Sequence, residues 1–343
     1  MPISKPIPHP ISATPMAFAQ AIVLAYRRYD RDPADALKLA QIAPDQLANP
    51  AARITAWQFQ QLSGTAMREL DDEALGWFSR RLPWGSYGML VRASISAPTL
   101  GIALRRWCRH HGLLTDDIAL QLRVADGQAQ LTLTEHRDLG TLQEFCLVSV
   151  LRNFLGVASW LVDSRIPLQS VQFPFAPPPH HAAYAVLFSD ATRFGAPATS
   201  LTFDARYLAM PLRRDERALQ VMLQNALPLT VLQYRRDRLL VQRVRQALAA
   251  HAENTHNADA LAALLHLSPR TLHRQLKEEG ATLQGLKDEV RQHSATELLL
   301  RTTRPIKQVA QAAGFQNEKS FIRAFKGWTG HTPAEFRRQA MAD

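Results

Sequence analysis

The sequence predicts two regions of different class. The first is an α+β N-terminal domain. The second is an all-α C-terminal domain in which two helix-turn-helix units are joined by a linker helix. Three observations predict this. Apolar residues recur with a period of two around an Asp-Gly turn in the first part of the chain. After residue 235 the pattern is helical with short interruptions. A short basic helix, written LSPRTLHRQL from Leu267, nearly returns about fifty residues later.

Along the chain, residues 1–13 read as a flexible tail, 14–228 as the first domain and 229–343 as the second. In the first domain, residues 15–27, 57–70, 100–111 and 142–161 carry helical apolar patterns. Trp84-Gly-Ser-Tyr-Gly88, with two glycines, marks a turn or a close backbone approach. Residues 118–124 and 129–134 alternate, with Asp126-Gly127 between them, and predict a hairpin. Residues 171–175 and 200–203 read as strands, and FGAP at 194–197 as a turn. The apolar pattern loosens near residue 230, and a basic amphipathic helix opens at Tyr234.

The chain has 343 residues, 46% hydrophobic and 20% charged, a globular composition. The formal net charge is +10. From Leu232 to the C-terminus, 18 Lys/Arg face 11 Asp/Glu, so about two thirds of the excess lies in the last third of the chain. That distribution suits a C-terminal module that touches phosphates. Cys108 and Cys146 form no CxxC pair and suggest neither a disulfide framework nor a zinc site. The N-terminus, MPISKPIPHP, lacks the apolar core of a signal peptide. No apolar run is expected to reach bilayer-spanning length, so the reading is a cytoplasmic protein without a membrane partner. His110-His111 and His180-His181 are poor chelating pairs, because helical neighbours point about 100° apart. No metal and no cofactor are expected. Trp84, Tyr87 and Trp107 read as core rather than pocket. No P-loop, GxSxG or dinucleotide fingerprint supports an enzyme.

The two helix-turn-helix units span about 259–280 and 306–329. In the first, Ser268 is a natural N-cap and Pro269 suits the first helical position. Arg270, His273, Arg274 and Lys277 then share one side, with Leu272 and Leu276 on the other. In the second, Lys319, Arg323 and Lys326 face outward and Phe321, Phe325 and Trp328 inward. The offset between units is 48 residues before the turn and 49 after it, so the second turn has one extra residue. Residues 283–301 between them form one helix of roughly 28 Å. That suits two readers set about one duplex turn, roughly 34 Å, apart. Arginine and lysine donate to guanine O6 and N7 in the major groove.

PIKQVAQAAGFQNEKSFIRAFKGWTGHTPAEFRR, residues 305–338, closely resembles the signature of AraC/XylS-type transcriptional regulators. The resemblance covers about residues 239–338. Ala310, Gly314-Phe315, Ser320-Phe321, Arg323, Phe325-Lys326, Gly330 and Thr332-Pro333 all fall in place. It implies base-facing positions at Arg270, His273 and Arg274 in the first unit, and at Glu318, Lys319 and Arg323 in the second. Lys277, Ser320 and Lys326 are candidate phosphate contacts. Two departures stand out. His266 occupies a turn position where glycine often sits, which would alter the first unit's angle. Glu318 is an acid in the groove-facing set, able to accept from cytosine N4 or to exclude some sequences. YGMLVRASISAPTLGIALRRWCRHH and TRFGAPATSLTFDARYLAMPL resemble the "arabinose-binding-like" sensor domain of one AraC subfamily, a domain type and not evidence for arabinose.

The resemblance implies an effector-responsive activator. Its partners would be double-stranded promoter DNA, RNA polymerase, a small-molecule effector in the N-terminal domain and a second copy as homodimer. Two alternatives stay open. One is a ligand-independent regulator whose first domain only dimerises; the other is a metabolic enzyme with an appended DNA-binding module.

Overall fold

The computed structural model describes residues 12–224, 239–250 and 257–340. The chain divides into two compact units, Met1–Arg235 and Arg236–Asp343. The expected domain boundary at 228/229 and the start of the basic helix at 234–238 lie outside the described residues. So does the expected tail, apart from Ser12 and Ala13, which open a strand.

The first unit opens with strand β1 (Ser12–Pro15) and helix α1 (Met16–Arg28). Short helices α2 (Ala34–Leu39) and α3 (Pro44–Ala48) follow, then β2 (Arg53–Thr55), which pairs antiparallel with β1. Helix α4 (Ala56–Glu69) starts at a capping box. Thr55 Oγ1 accepts from Gln58 N at 3.2 Å, and the Gln58 side chain accepts from Thr55 N at 3.0 Å. Helices α5 (Ser86–Ile95) and α6 (Leu100–His111) precede the hairpin of β3 (Ile118–Ala125) and β4 (Gln128–Glu135). Asp126 and Gly127 both take positive φ, 50° and 73°, the geometry a two-residue hairpin turn requires. Helix α7 (Gln143–Val162), β5 (Leu168–Gln172), α8 (Tyr184–Leu187), β6 (Thr192–Arg193), β7 (Thr199–Asp204) and α9 (Glu216–Gln224) complete the unit.

The main sheet runs β3-β4-β7-β5-β6. All its pairs are antiparallel except β5 with β6. Register places Leu120 opposite Leu133 and Leu131 opposite Leu201, so the apolar positions share one face. The strand expected at 171–175 lies three residues earlier. Pro174 has no N–H for a ladder, and the chain leaves the sheet before it.

At 84–88 both alternatives occur: Gly85 turns the chain in left-handed backbone, φ 100°, and Gly88, inside α5, lies close against Leu223. Two expectations need correction. First, α7 with the turn before it is long and apolar enough to cross a membrane by length and composition, and 89% of that window is buried within the protein. Its apolar surface is used as core. Second, the aromatics at 84, 87 and 107 divide. Trp107 is buried, while Trp84 and Tyr87 border a cavity.

The second unit is helical throughout its described residues: α10 (Leu239–Ala250), α11 (Ala258–Leu264), α12 (Pro269–Glu278), α13 (Leu283–Arg301), α14 (Ile306–Ala312), α15 (Glu318–Thr329) and α16 (Pro333–Ala340). It has two apolar cores. One gathers Leu240, Val244, Leu261, Leu272, Leu276 and Leu286. The other gathers Leu299, Val309, Ala310, Phe321 and Phe325, with Phe315, Trp328 and Phe336 packed on it.

Candidate nucleic-acid interface

The first helix-turn-helix is α11, a turn, and α12. Asn257 caps α11, its Oδ1 accepting from Ala260 N at 2.8 Å. The chain reverses at His266, whose φ is 57°. Histidine is one of the few side-chain-bearing residues that enter this region with some regularity. Ser268 then caps α12, Oγ accepting from Thr271 N at 3.1 Å, with Pro269 in the first turn. Leu272 and Leu276 are buried at 0% and 1% exposure, which fixes the helix's rotation. Arg270, His273, Arg274 and Lys277 are all exposed.

The second unit repeats this plan. Helices α11 and α14 are each 7 residues long and start 48 residues apart. The turn residue equivalent to His266 is Gly314, φ 81°. Both units therefore turn through left-handed backbone, and the histidine adopts the conformation the glycine takes. Asn317 caps α15, Oδ1 accepting from Ser320 N at 2.8 Å. Phe321 and Phe325 are fully buried, while Glu318, Lys319, Ser320, Arg323 and Lys326 are exposed.

Each trio of predicted base-facing residues is thus brought to the polar face of one helix. Glu318 has a second reason for its place. It is the first residue of α15, where unsatisfied N–H groups and the helix dipole favour a negative charge.

Helix α13 is 19 residues long, Leu283–Arg301, as its apolar pattern predicts. Thr282 caps it, Oγ1 accepting from Gly285 N at 3.1 Å. It supplies Leu283 and Leu286 to the first core and Ala295 and Leu299 to the second. A single rod therefore belongs to both units. On the second unit, the Arg291 guanidinium lies 5.0 Å from the Phe315 ring centroid, beside the turn.

Other polar clamps give little sign of themselves in the sequence. The Glu279 carboxylate, just past α12, accepts from Leu240 N at 3.1 Å and Val241 N at 2.7 Å, holding the start of α10. Arg243 Nη2 donates to Leu265 O at 3.2 Å, at the first turn. Arg245 pairs with Glu289, joining α10 to α13. Arg337 Nε donates to Leu299 O at 3.3 Å, tying α16 to the rod. A capping box opens α16: Thr332 N donates to Glu335 Oε2 at 2.8 Å, and Glu335 N to Thr332 Oγ1 at 3.3 Å. Those hydrogen bonds lower the Glu335 pKa.

The histidine pairs differ: His111 is buried and His181 is exposed. Burial lowers the pKa of His111 to about 4, and its Nε2 lies 3.4 Å from Tyr87 Oη. His180 Nε2 contacts Glu144 Oε1 at 2.7 Å. Among the described residues no group of three or more His, Cys, Asp or Glu is placed to hold a metal ion.

Comparison with known proteins adds a family. Residues 31–212 match the family described as the arabinose-binding domain of AraC transcription regulator, and residues 261–339 match a helix-turn-helix domain. The chain is 30% identical to the ornithine utilization regulator of Pseudomonas aeruginosa, over 98% of this chain and 99% of that protein. It is 32% identical to the HTH-type transcriptional regulator VqsM of the same organism, over 29% of this chain and 30% of that one. Among solved structures, a DNA-binding transcriptional dual regulator from Escherichia coli K-12 is 26% identical. It covers 30% of this chain and 94% of its own, with a TM-score of 0.30.

Proposed function

The chain belongs to the AraC family of transcription regulators, and from that premise we propose how it reads DNA. It is a DNA-binding transcriptional regulator and not an enzyme. In our reading α12 and α15 each enter a major groove on one face of the duplex. Arg270, His273 and Arg274 meet base edges from the first, and Glu318, Lys319 and Arg323 from the second. Lys277, Ser320 and Lys326 touch phosphate. The bidentate donors Arg270, Arg274 and Arg323 supply base preference, and the lysines supply affinity that falls with salt.

One observation carries this reading. Two equivalent helices bury apolar faces in separate cores, expose polar faces, and are joined by one continuous helix that contributes to both cores. A basic helix on its own would read as a solvated surface. Two in register on one scaffold support a bipartite reader.

The N-terminal domain, in this proposal, binds a small effector and pairs protomers into a homodimer. The DNA-bound dimer acts in the cytoplasm as an activator that recruits RNA polymerase. A cavity inside that domain favours sensing over dimerisation alone.

The test starts from an operator selected out of random duplexes by the full chain. Arg323→Ala is expected to weaken operator binding by about tenfold to a hundredfold, with little loss on scrambled duplex, as removal of a bidentate base contact does. Lys326→Ala should weaken both duplexes alike and lower the salt slope by about one phosphate contact. An equal loss on both duplexes for Arg323→Ala would reassign that residue to the backbone.

A further inference from the structure

The N-terminal domain has a partly open cavity of about 310 Å³. That is the small end of the roughly 300–1,000 Å³ range of small-molecule sites. Its wall is drawn from β1 and α1, from α4, from the loop after α4 with α5, and from α7, α8 and α9, and most of it is apolar. Phe145 of α7 sits at the centre of an aromatic cluster, its ring centroid 5.5 Å from Phe18, 6.3 Å from Phe59 and 5.3 Å from Trp77. These rings all border the cavity, as do Trp84 and Tyr87.

Into this apolar wall α7 places an arginine. Arg152, on the largely apolar core helix, is 3% exposed. Its Nη1 donates to Leu187 O at 2.8 Å, and its guanidinium lies 5.9 Å from the Phe188 ring centroid. Burial lowers its pKa to about 10, which still leaves it charged at neutral pH. A desolvated guanidinium is best matched by a carboxylate, which it can bind through two parallel hydrogen bonds. Ser149 and Asn153 of the same helix also line the cavity.

Two further polar atoms point the same way. Ser63 Oγ of α4 and Trp77 Nε1 are buried without a hydrogen-bond partner among the described residues, and both residues belong to this wall. An indole N–H can only donate, so it suits an acceptor oxygen. The wall also holds one acid, Glu73. Its oxygens already accept from Gly85 N at 2.8 Å and Tyr87 N at 2.7 Å, and burial, with Asp72 and Asp71 nearby, raises its pKa. The backbone thus takes up much of its accepting capacity, and donors dominate what remains.

The far wall is α9, through Met222 and Leu223. An ion pair of Arg92 with Glu216, 2.8 Å, fastens α9 to α5. In sequence, α9 is the last described element before the second unit begins.

We infer that this cavity binds a small monocarboxylate with an apolar body, aromatic or aliphatic. The carboxylate meets Arg152, and the body lies among Phe18, Phe59 and Phe145. The inference rests on the reading of this domain as an effector sensor.

Isothermal titration of the full chain tests it with two matched sets: 3-phenylpropionate and octanoate, each beside its amide and its primary amine. At least one carboxylate should bind about tenfold or more tighter than its amide and amine, as loss of a charge-assisted hydrogen bond implies. Ser149→Phe, which fills the cavity from α7, should weaken that binding about tenfold or more while the chain still melts cooperatively. Arg152→Gln should abolish the preference for acid over amide. If that buried substitution prevents folding, the wild-type isosteres and Ser149→Phe decide alone. Amide or amine binding as tightly as the acid, no binding of either carboxylate, or full binding by Ser149→Phe would overturn the inference. Operator affinity measured with and without ligand separates the two layers. A bound carboxylate that leaves operator affinity unchanged sinks effector control and spares the ligand class. An amine that shifts operator affinity where the acids do not has the opposite consequence.

Discussion

The two helix-turn-helix units share a backbone plan and fill it with different side chains. Helix starts, the turn residue and the side-chain caps of the two basic helices, Ser268 and Asn317, correspond one to one. Yet Leu265, Leu267, Leu272 and Leu276 of the first unit become Ala313, Phe315, Phe321 and Phe325 in the second. The first core is aliphatic. The second is a chain of ring contacts, Phe315–Phe321 at 5.3 Å, Phe321–Phe325 at 5.6 Å and Phe325–Phe336 at 5.4 Å. What the duplication preserves is the set of local signals that position a basic helix: a left-handed turn residue, an N-cap oxygen and two inward apolar positions one turn apart. The filling is free to vary so long as volume is made up elsewhere, here by Trp328 and Phe336 from outside the duplicated stretch.

The largest expected effect tests whether the cores are separate. Phe325→Ala removes a fully buried ring and should cost about 3–5 kcal/mol, and Leu276→Ala about 2–5 kcal/mol. Segment-resolved amide exchange on the full chain is the measurement. Phe325→Ala should strip protection from α14, α15 and α16 and spare α10 and α12, while Leu276→Ala should do the reverse. Because α13 lends side chains to both cores, its two ends should respond separately. If either substitution exposes both units together, the rod has fused them into one cooperative block and the comparison between halves loses its meaning.

A smaller effect sharpens the turn. Gly314 and His266 hold the same left-handed backbone, with different strain. A Cβ at Gly314 would meet Arg291 Nε at 3.7 Å, an ordinary contact, so Gly314→Ala should cost about 1 kcal/mol through its backbone alone. That is about fivefold in exchange protection across α14 and α15. His266→Gly relieves strain but loosens the unfolded chain, so a net gain of about 0.5 kcal/mol is expected in the first unit. A destabilised His266→Gly variant would mean that the imidazole makes a contact the glycine cannot replace.

This symmetry explains why one domain was easier to read than the other. Caps, prolines and turn residues act over three or four positions, so Ser268-Pro269 and the pattern 283–301 mark helix bounds in the sequence itself. In the first domain the sheet joins β4 to β7 and β7 to β5 across long separations, and only the β3–β4 hairpin has a local signature. Helix α5 was hidden because Gly85, just before it, and Gly88, inside it, read together as loop signals; Gly88 packs closely against Leu223. The cavity was less legible still, since its wall comes from six separate stretches. One signal was there to use: Arg152 and Asn153 interrupt the long apolar pattern of 142–161, and a charge inside a buried helix needs a reason.

The smallest effect concerns Glu318, where the two units differ most in charge. The position 49 residues earlier is Pro269, which brings no side-chain charge to the start of α12. A carboxylate at the first residue of α15 stabilises the helix by about 0.3–1 kcal/mol through its dipole, whatever DNA does. In a groove it would also repel phosphate and could only accept, most favourably from cytosine N4. Glu318→Gln separates these roles. If the acid serves the helix alone, exchange protection of α15 should fall by about two- to fivefold, and operator and scrambled duplex should both bind slightly tighter as one negative charge goes. If it reads a base, the operator should weaken while scrambled DNA tightens, and selection with the variant should relax at one position. Opposite movement of the two duplexes is the outcome a helix-capping role cannot produce.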